Sequence, residues 1–184
     1  MRTGYRSCAG IVALVVCVAV AGCSTAPKSE EKRDALVDQA QAILREMKAQ
    51  DDSLQRFLDK GYGYVIFPNV GKGGLIAGGA YGRGAVYRGS EHVGYADLTQ
   101  ASVGLQAGGQ SFAELIVFQD DATFNKFTRS ELQFGANASA IALKTGAASS
   151  ATFQNGLAVF VMPKGGLMFE VSLSGQQFKY QPKS

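Results

Sequence analysis

The chain has 184 residues, of which 46% are hydrophobic and 18% charged, with 18 Lys and Arg against 15 Asp and Glu. This length suits one domain with a substantial hydrophobic core. The formal net charge of +3 includes Arg2 and Arg6, and residues 1–22 hold no acid, so the remainder carries 16 bases against 15 acids. That balance argues against a nucleic-acid-binding protein, which needs a strong basic footprint.

The N-terminus is typical of a bacterial lipoprotein signal. A positive stretch precedes an uncharged run at residues 9–22, which suits the roughly 7–15 residues of a signal-peptide core and falls short of the ~20 that span a bilayer. The sequence VAGC at residues 20–23 resembles a lipobox. The resemblance implies cleavage before Cys23 and acylation of that residue. The alternative is an ordinary signal peptide with a chance cysteine.

Lipidation of Cys23 determines several further expectations. Ser24 follows it where an aspartate would favour the inner membrane, so we expect the periplasmic face of the outer membrane. Three acyl chains bury enough CH₂ groups to hold a protein durably on a bilayer. The other two cysteines leave with the signal peptide, so we expect no free thiol, disulfide or thiolate metal site. The predicted organisation is a signal peptide at 1–22, a lipidated tether at 23–31 and a single domain at 32–184.

Two helices are predicted after the tether. The first has apolar residues at helical spacing and charges on its other face: Leu36, Ala40, Ile43, Leu44 and Met47. The second begins near Asp52-Ser53 and buries Leu54, Phe57 and Leu58. We interpret them as an αα unit packed on the domain. A membrane-lying helix is the alternative, but residues 28–60 carry seven bases and eight acids, whereas surface-binding helices are usually rich in Lys and Arg.

From Gly61 the pattern changes to strands. Strands are predicted at residues 64–67, stopped by Pro68, and at 75–87, 100–108, 112–118, 136–143, 156–162 and 167–173. Asp120-Asp121 should cap a short helix that buries Phe124, Phe127 and Leu132. The predicted fold class is therefore α+β. It has a predominantly antiparallel, glycine-rich sheet that can close into a barrel-like form, with N-terminal helices and one short inserted helix.

A glycine-rich run, NVGKGGLIAGGAYGRG, occupies residues 69–84. It is not a Walker loop, because Lys72 is followed by glycine, and it fails the dinucleotide fingerprint, because Ile76 stands at the third glycine position. Gly74, Gly78 and Gly82 recur at every fourth residue, which places them on one face of a strand. Such a bare strip serves either close packing or a bend, or else a groove for an acyl chain or headgroup.

A segment near the C-terminus has a sequence pattern similar to that of the glycine-rich run. Residues 67–79 and 161–175 both read as an apolar strand, a proline, Lys-Gly-Gly-Leu and a second strand. Lys72 and Lys164 occupy the same place in the two copies. We predict two similar hairpins in one sheet, with a lysine at each tip.

The sequence contains few indications of a catalytic site. His92, the single histidine, stands in the polar stretch GSEHVG and is expected to be a solvated loop residue. The motifs of metallohydrolases and serine hydrolases do not occur, so we predict no metal, no cofactor and no enzyme activity. The enzyme hypothesis would require His92 to meet Glu91 and Asp97 in space.

Residues 67–87, 101–118 and 164–175 together resemble the SYLF domain. This domain occurs in bacterial lipoproteins and in eukaryotic endocytic proteins, where, in yeast, it is also described as actin-binding. The match covers about residues 54–178. It implies a non-enzymatic module that binds phospholipids, with a preference for acidic headgroups. Phosphoinositides are scarce in bacteria and actin has no obvious meaning in a periplasm, so anionic phospholipid is the expected partner.

The resemblance and its flanking residues give a predicted lipid site. Headgroup phosphate is expected at Lys72, Arg83, Arg88 and Lys164, and glycerol or acyl groups at Gly74, Gly78, Tyr81, Tyr87 and Phe112. The rival hypothesis is an envelope scaffold or protein-interaction module that meets lipid only through Cys23.

Overall fold

The computed structural model describes residues 29–74, 77–103, 110–135, 138–164 and 173–183. Within these ranges the helices are α1 (Glu30–Gln50), α2 (Gln55–Lys60) and α3 (Asp121–Thr128), with short 3₁₀ turns at Asp52–Leu54 and Ala148–Ser150. The strands are β1 (Gly63–Gly74), β2 (Ala77–Arg88), β3 (Glu91–Val103), β4 (Gln110–Phe118), β5 (Ile141–Ala142), β6 (Leu157–Pro163) and β7 (Gln176–Pro182). The predicted tip of the β1–β2 hairpin and most of the predicted strand at 167–173 lie outside the described residues.

The strands form one sheet in the order β5-β6-β4-β1-β2-β3-β7. All neighbours are antiparallel except β5 and β6. The first three strands are consecutive hairpins, and β4 then returns to pair with the far side of β1. The predicted α+β class, with N-terminal helices and one inserted helix, is confirmed.

The sheet curls strongly. From β4 to β7 there are four inter-strand steps, which would separate the strands by ~19 Å in a flat sheet. Yet Gln176 of β7 lies 3.1 Å from Glu114 of β4 through their side chains. The rings of Phe67 and Phe178, three strands apart, have centroids 6.0 Å apart. The described strands nevertheless leave β5 and β7 as separate edges, so the sheet is open and the barrel-like closure does not form.

Each side of the sheet has its own hydrophobic core. We call the side under α1 and α2 the helix face and the inner side of the curl the concave face. Along β4, Leu115 and Val117 point to the helix face, whereas Ile116 and Phe118 point to the concave face. Because both faces are covered, residues 112–118 read as an almost continuous apolar run.

The helices follow the periodicity of the sequence. The buried residues of α1 are the predicted Leu36, Ala40, Ile43, Leu44 and Met47, and the last four belong to the core of the helix face. The packed αα interpretation is therefore confirmed. Among the described helices, none has the length and apolar character to cross a bilayer.

Aspartates cap the later helical turns. The Asp120 side chain accepts a hydrogen bond from the Thr123 N–H at 2.8 Å, as predicted for α3, and α3 buries Phe124 and Phe127. The turn before α2 is capped by Asp51, one residue before the predicted pair. These carboxylates satisfy N–H groups that a helix start leaves without partners.

Several strand predictions were wrong, and the strand predicted at 136–143 is limited to Ile141–Ala142 in the described residues. Pro68 does not end β1, because a bulge between Phe67 and Val70 carries the strand past it. β3 begins at Glu91, ahead of the predicted start at residue 100. The last strand, β7, was not predicted at all. The sheet is therefore longer in its centre, and one of its edges is a strand, β7, that the sequence reasoning missed.

Candidate functional site

A groove of about 700 Å³ lies between the first half of α1 and the glycine-rich part of the sheet. We call it the α1–β2 groove. It is defined by Lys32 and Leu36 of α1, Pro68 and Gly71 of β1, and Tyr81 and Arg83 of β2.

The groove exists because β1 has no side chains where α1 passes over it. A Cβ atom placed on Gly71 or Gly73 would meet no atom within 4 Å. Further along, the second half of α1 packs on larger residues such as Ile66 and Tyr87. The helix is thus held against the sheet at one end and leaves open space at the other.

Arg83 is positioned by two neighbours. Its Nε donates to the Tyr81 hydroxyl at 2.6 Å and lies 3.8 Å from Oδ1 of Asp97. The Tyr81 hydroxyl in turn donates to Asp97 at 3.2 Å. Asp97 is buried, whereas the Arg83 side chain is 40% exposed. In the described part of the chain both polar contacts of Arg83 use Nε, which leaves its two terminal nitrogens as donors for a ligand.

The opposite wall carries a second cation. Lys32 is exposed in the first turns of α1. The neighbouring Arg33 lies over the ring of Tyr95, 5.6 Å from its centroid, which ties this end of α1 to β3. Because Asp97 offsets much of the charge of Arg83, Lys32 supplies most of the net positive charge. The groove therefore favours an anion.

The structure brings part of the predicted site to this groove. Tyr81 and Arg83 line it directly. Lys164 lies nearby, because its N–H donates to the Ser111 carbonyl at 2.9 Å and Ser111 pairs with Gly71. Two strand spacings, ~10 Å, thus separate Lys164 from the floor. Lys164 is exposed beyond the end of β6.

Lys72 lies elsewhere. It stands inside β1, paired with Ala80 on β2 and Gln110 on β4, and is only 7% exposed. Alternation along β1 places it on the concave face with Val70. Its prediction as a hairpin-tip lysine was wrong, since the strands continue to the pair Gly74–Gly78.

The remaining predicted contacts are also separated from the groove. Arg88 is at the other end of β2, 3.4 Å from Glu91. Tyr87 is buried under α1 with its ring stacked on Tyr64 at 4.8 Å, and burial raises the pKa of its hydroxyl. Phe112 belongs to the core of the concave face.

Some glycines of the run permit close packing and others leave the groove open, so both predicted roles occur. A Cβ on Gly82 would lie 2.8 Å from Cγ2 of Val70, and one on Gly84 would lie 2.8 Å from the ring of Phe67. These glycines permit close packing on the concave face. The open strip on the groove side is formed instead by Gly71 and Gly73, which the four-residue spacing did not indicate.

His92 is not a solvated loop residue. It lies in β3, half-buried, with ring centroids 5.3 Å from Tyr87 and 4.9 Å from Tyr95. A ring nitrogen lies 2.9 Å from the Gly94 carbonyl oxygen, and burial lowers the pKa of the imidazole. Asp97 is engaged with Tyr81 instead. The described residues also hold no group of three His, Cys, Asp or Glu side chains suited to a metal.

Sequence reasoning missed Lys32, although a signal was present. Lys32, Leu36 and Gln39 are spaced four and three residues apart, so they extend the buried stripe of α1 toward its start. A cation on the apolar stripe of a helix indicates a place where that stripe reaches open space.

Comparison with known proteins gives two matches. Residues 99–183 match the family described as "Ysc84: Las17-binding protein actin regulator". A protein of Aeromonas veronii named "Beta cell expansion factor A" is 27% identical over 154 residues, which is 83% of this chain and 59% of that protein. The chain thus spans less than two thirds of the length of this relative. The family match begins in β3, after the residues that define the groove.

Proposed function

We propose that this chain, a member of the SYLF (Ysc84) family as its sequence predicted, is a non-catalytic module that binds the headgroup of an anionic phospholipid in the α1–β2 groove. The observation that carries the proposal is the pairing of Lys32 and Arg83 on opposite walls of an open space floored by glycine. The groove is large enough for a headgroup with part of its glycerol.

Phosphate recognition follows from the position of Arg83. The terminal nitrogens of a guanidinium form a planar fork that matches phosphate oxygens. Tyr81 and Asp97 hold the Nε end, which reduces the rotamer freedom lost on binding. Lys32 would act as a point charge from the other wall.

Contact with the less polar part of the lipid follows from the floor. Tyr81 is 40% exposed, and tyrosine suits the membrane interface because its ring is apolar and its hydroxyl polar. Gly71 offers bare backbone on which glycerol or the first methylene groups of an acyl chain could lie.

The proposed anchor would keep the groove at a membrane. We propose that Cys23 is acylated after removal of residues 1–22 and holds the domain at the periplasmic face of the outer membrane. Five residues separate Cys23 from Ser29, directly before α1, so six peptide links join the two. An extended chain of that length reaches ~20 Å. Lys32, in the first turns of α1, would therefore stay close to the headgroups.

The test uses vesicle co-sedimentation with unlipidated Cys23→Ser protein, so that no acyl anchor contributes. Vesicles of phosphatidylglycerol in phosphatidylcholine are compared with pure phosphatidylcholine. The double variant Lys32→Ala/Arg83→Ala should bind the anionic vesicles about 30-fold more weakly, because each base near such a surface contributes about 1 kcal/mol.

A matched control separates the groove from net charge. Arg45→Ala/Lys60→Ala removes the same two charge types from exposed positions on α1 and α2. It should weaken binding by a few-fold at most. Equal losses in both double variants would contradict a headgroup site in the groove.

A protein partner is a second candidate, because the family description names a protein-binding regulator. Under that candidate the Cys23→Ser protein would ignore vesicles of every composition and bind an envelope protein instead. The same sedimentation series therefore distinguishes the two functions.

A further inference from the structure

A buried acid and a buried amide join the two ends of the curled sheet. Glu114 of β4 and Gln176 of β7 are both 0% exposed. Gln176 Nε2 donates to Glu114 Oε2 at 3.1 Å. This contact crosses the concave face and spans 62 residues of sequence.

The second oxygen of each of these side chains needs a hydrogen-bond donor. Glu114 Oε1 and Gln176 Oε1 are both buried, and neither meets a hydrogen-bond donor in the described part of the chain. A buried acceptor without a donor costs free energy, and an ionised carboxylate with one hydrogen bond costs far more. A proton on Glu114 Oε1 removes the charge and supplies a donor that can serve Gln176 Oε1.

The surroundings of Glu114 favour the neutral acid. Its neighbours along β4 on the same face are Phe112 and Ile116, and the residues opposite it are Phe67 on β1 and Val161 on β6. All four belong to the apolar core of the concave face. Burial raises the pKa of the Glu114 carboxyl to about 8, although the hydrogen bond from Gln176 partly lowers it.

Charged and titratable groups on this face do not compensate. Within the described ranges Lys72 of β1, although buried, forms no ion pair with Glu114. Gln100 of β3 donates to the Ser174 carbonyl. The Tyr180 hydroxyl of β7 donates to the Val93 carbonyl, and α3 contributes Phe124 and Phe127 to this core.

We infer that Glu114 is a neutral carboxylic acid in the folded domain and that its hydroxyl donates to Gln176 Oε1, so that two hydrogen bonds clasp β7 to β4. We call this pair the acid–amide clasp. It lies on the opposite face from the α1–β2 groove, so its test is independent of lipid binding. The clasp would hold the curl below the pH at which Glu114 ionises and loosen it above.

The sign of the pH dependence follows from the two states. A glutamate in the unfolded chain has its ordinary pKa of 4.5, whereas burial raises the folded pKa to about 8. Between those values the folded state holds a proton that the unfolded state has released. Stability due to Glu114 is therefore fully present below about pH 4.5, falls as pH rises to about 8, and then levels off.

The test compares urea unfolding of the full chain with that of Glu114→Gln at pH 5, 6, 7, 8 and 9. Glutamine keeps the shape of the neutral acid but cannot ionise. The folding constant of Glu114→Gln relative to the unsubstituted protein should rise about tenfold per pH unit between pH 5 and 8. Glu131→Gln, at a 56% exposed side chain, should show no such rise. A ratio that stays constant with pH would overturn the inference.

A measurement on the unsubstituted protein covers the case in which Glu114→Gln does not fold. With ¹³C-labelled glutamate, the Glu114 side-chain carboxyl should titrate near pH 8 in the folded state. A carboxyl signal that is already ionised at pH 6 would equally rule out the neutral acid.

Discussion

The two faces of the central strands handle polar groups in opposite ways. On the helix face, Gly71 and Gly73 leave open space, and Arg83 is exposed beside it. On the concave face, the curl of the sheet encloses Glu114 completely. The same stretch of β1 serves both, because its residues alternate between the two sides.

The two faces therefore place different demands on their polar side chains. A side chain in the groove keeps its hydration and its charge, and can exchange water for a ligand at low cost. A side chain in the concave core must lose its charge or find a partner. We therefore expect substitutions on the concave face to alter stability and those on the groove side to alter binding.

The largest difference is expected between Phe178→Ala and Tyr81→Ala. The Phe178 ring contacts those of Phe67, Phe127 and Phe134 at centroid distances of 5.1–6.0 Å, and its loss should cost about 3–5 kcal/mol of unfolding free energy. Tyr81→Ala, at an exposed ring whose hydroxyl bonds Arg83 and Asp97, should cost only about 1 kcal/mol. Urea unfolding measures both, and similar losses would break the contrast between the faces.

A smaller difference is expected between two glycines. A Cβ on Gly84 would lie 2.7 Å from the Ile66 carbonyl oxygen, a backbone atom that cannot turn away. Gly84→Ala should therefore cost about 1–3 kcal/mol. Gly71→Ala points into the open groove and should change stability by less than about 0.5 kcal/mol. Chemical denaturation of the pair provides the check. A strongly destabilised Gly71→Ala would show that the groove is closed in solution.

The smallest effect is expected from Tyr81→Phe, which removes only the hydroxyl that holds Arg83 against Asp97. Loss of one such hydrogen bond is worth about 0.5–1.5 kcal/mol. Binding to phosphatidylglycerol vesicles should weaken by about 2–10-fold, and the free energy of unfolding should fall by about 1 kcal/mol or less. Tyr62→Phe is the control, because Tyr62 is equally exposed and lies just before β1. A matching loss in that variant would remove the positioning role of Tyr81.

The sequence predicted the helical elements well and the sheet less well. Periodicity placed the buried stripe of α1 residue by residue, because that stripe depends on spacing alone. The start of β3 was missed because His92 stands in a polar stretch, yet it packs between Tyr87 and Tyr95. Strand pairing depends on distant partners, which local composition does not reveal.

The candidate site also depends on contacts between distant segments, which the sequence does not reveal. Arg83 and Tyr81 were predicted from their flanking glycines, but Lys32 joins them only because α1 crosses β2. The curl that buries Glu114 is likewise a property of the whole sheet. β7 could have been found, since Phe178 and Tyr180 alternate with Lys179 and Gln181 in the sequence.

The bulge in β1 determines which side of the domain is cationic. Between Ile66 and Asn69 the strand advances three residues, while β2 advances two, from Ala85 to Arg83. Deleting one residue at this point would shift every later position of β1 to the opposite face. Lys72 would then enter the groove, and the glycines would turn inward. The one extra residue in the bulge thus determines whether Lys72 faces the groove or is buried in the core.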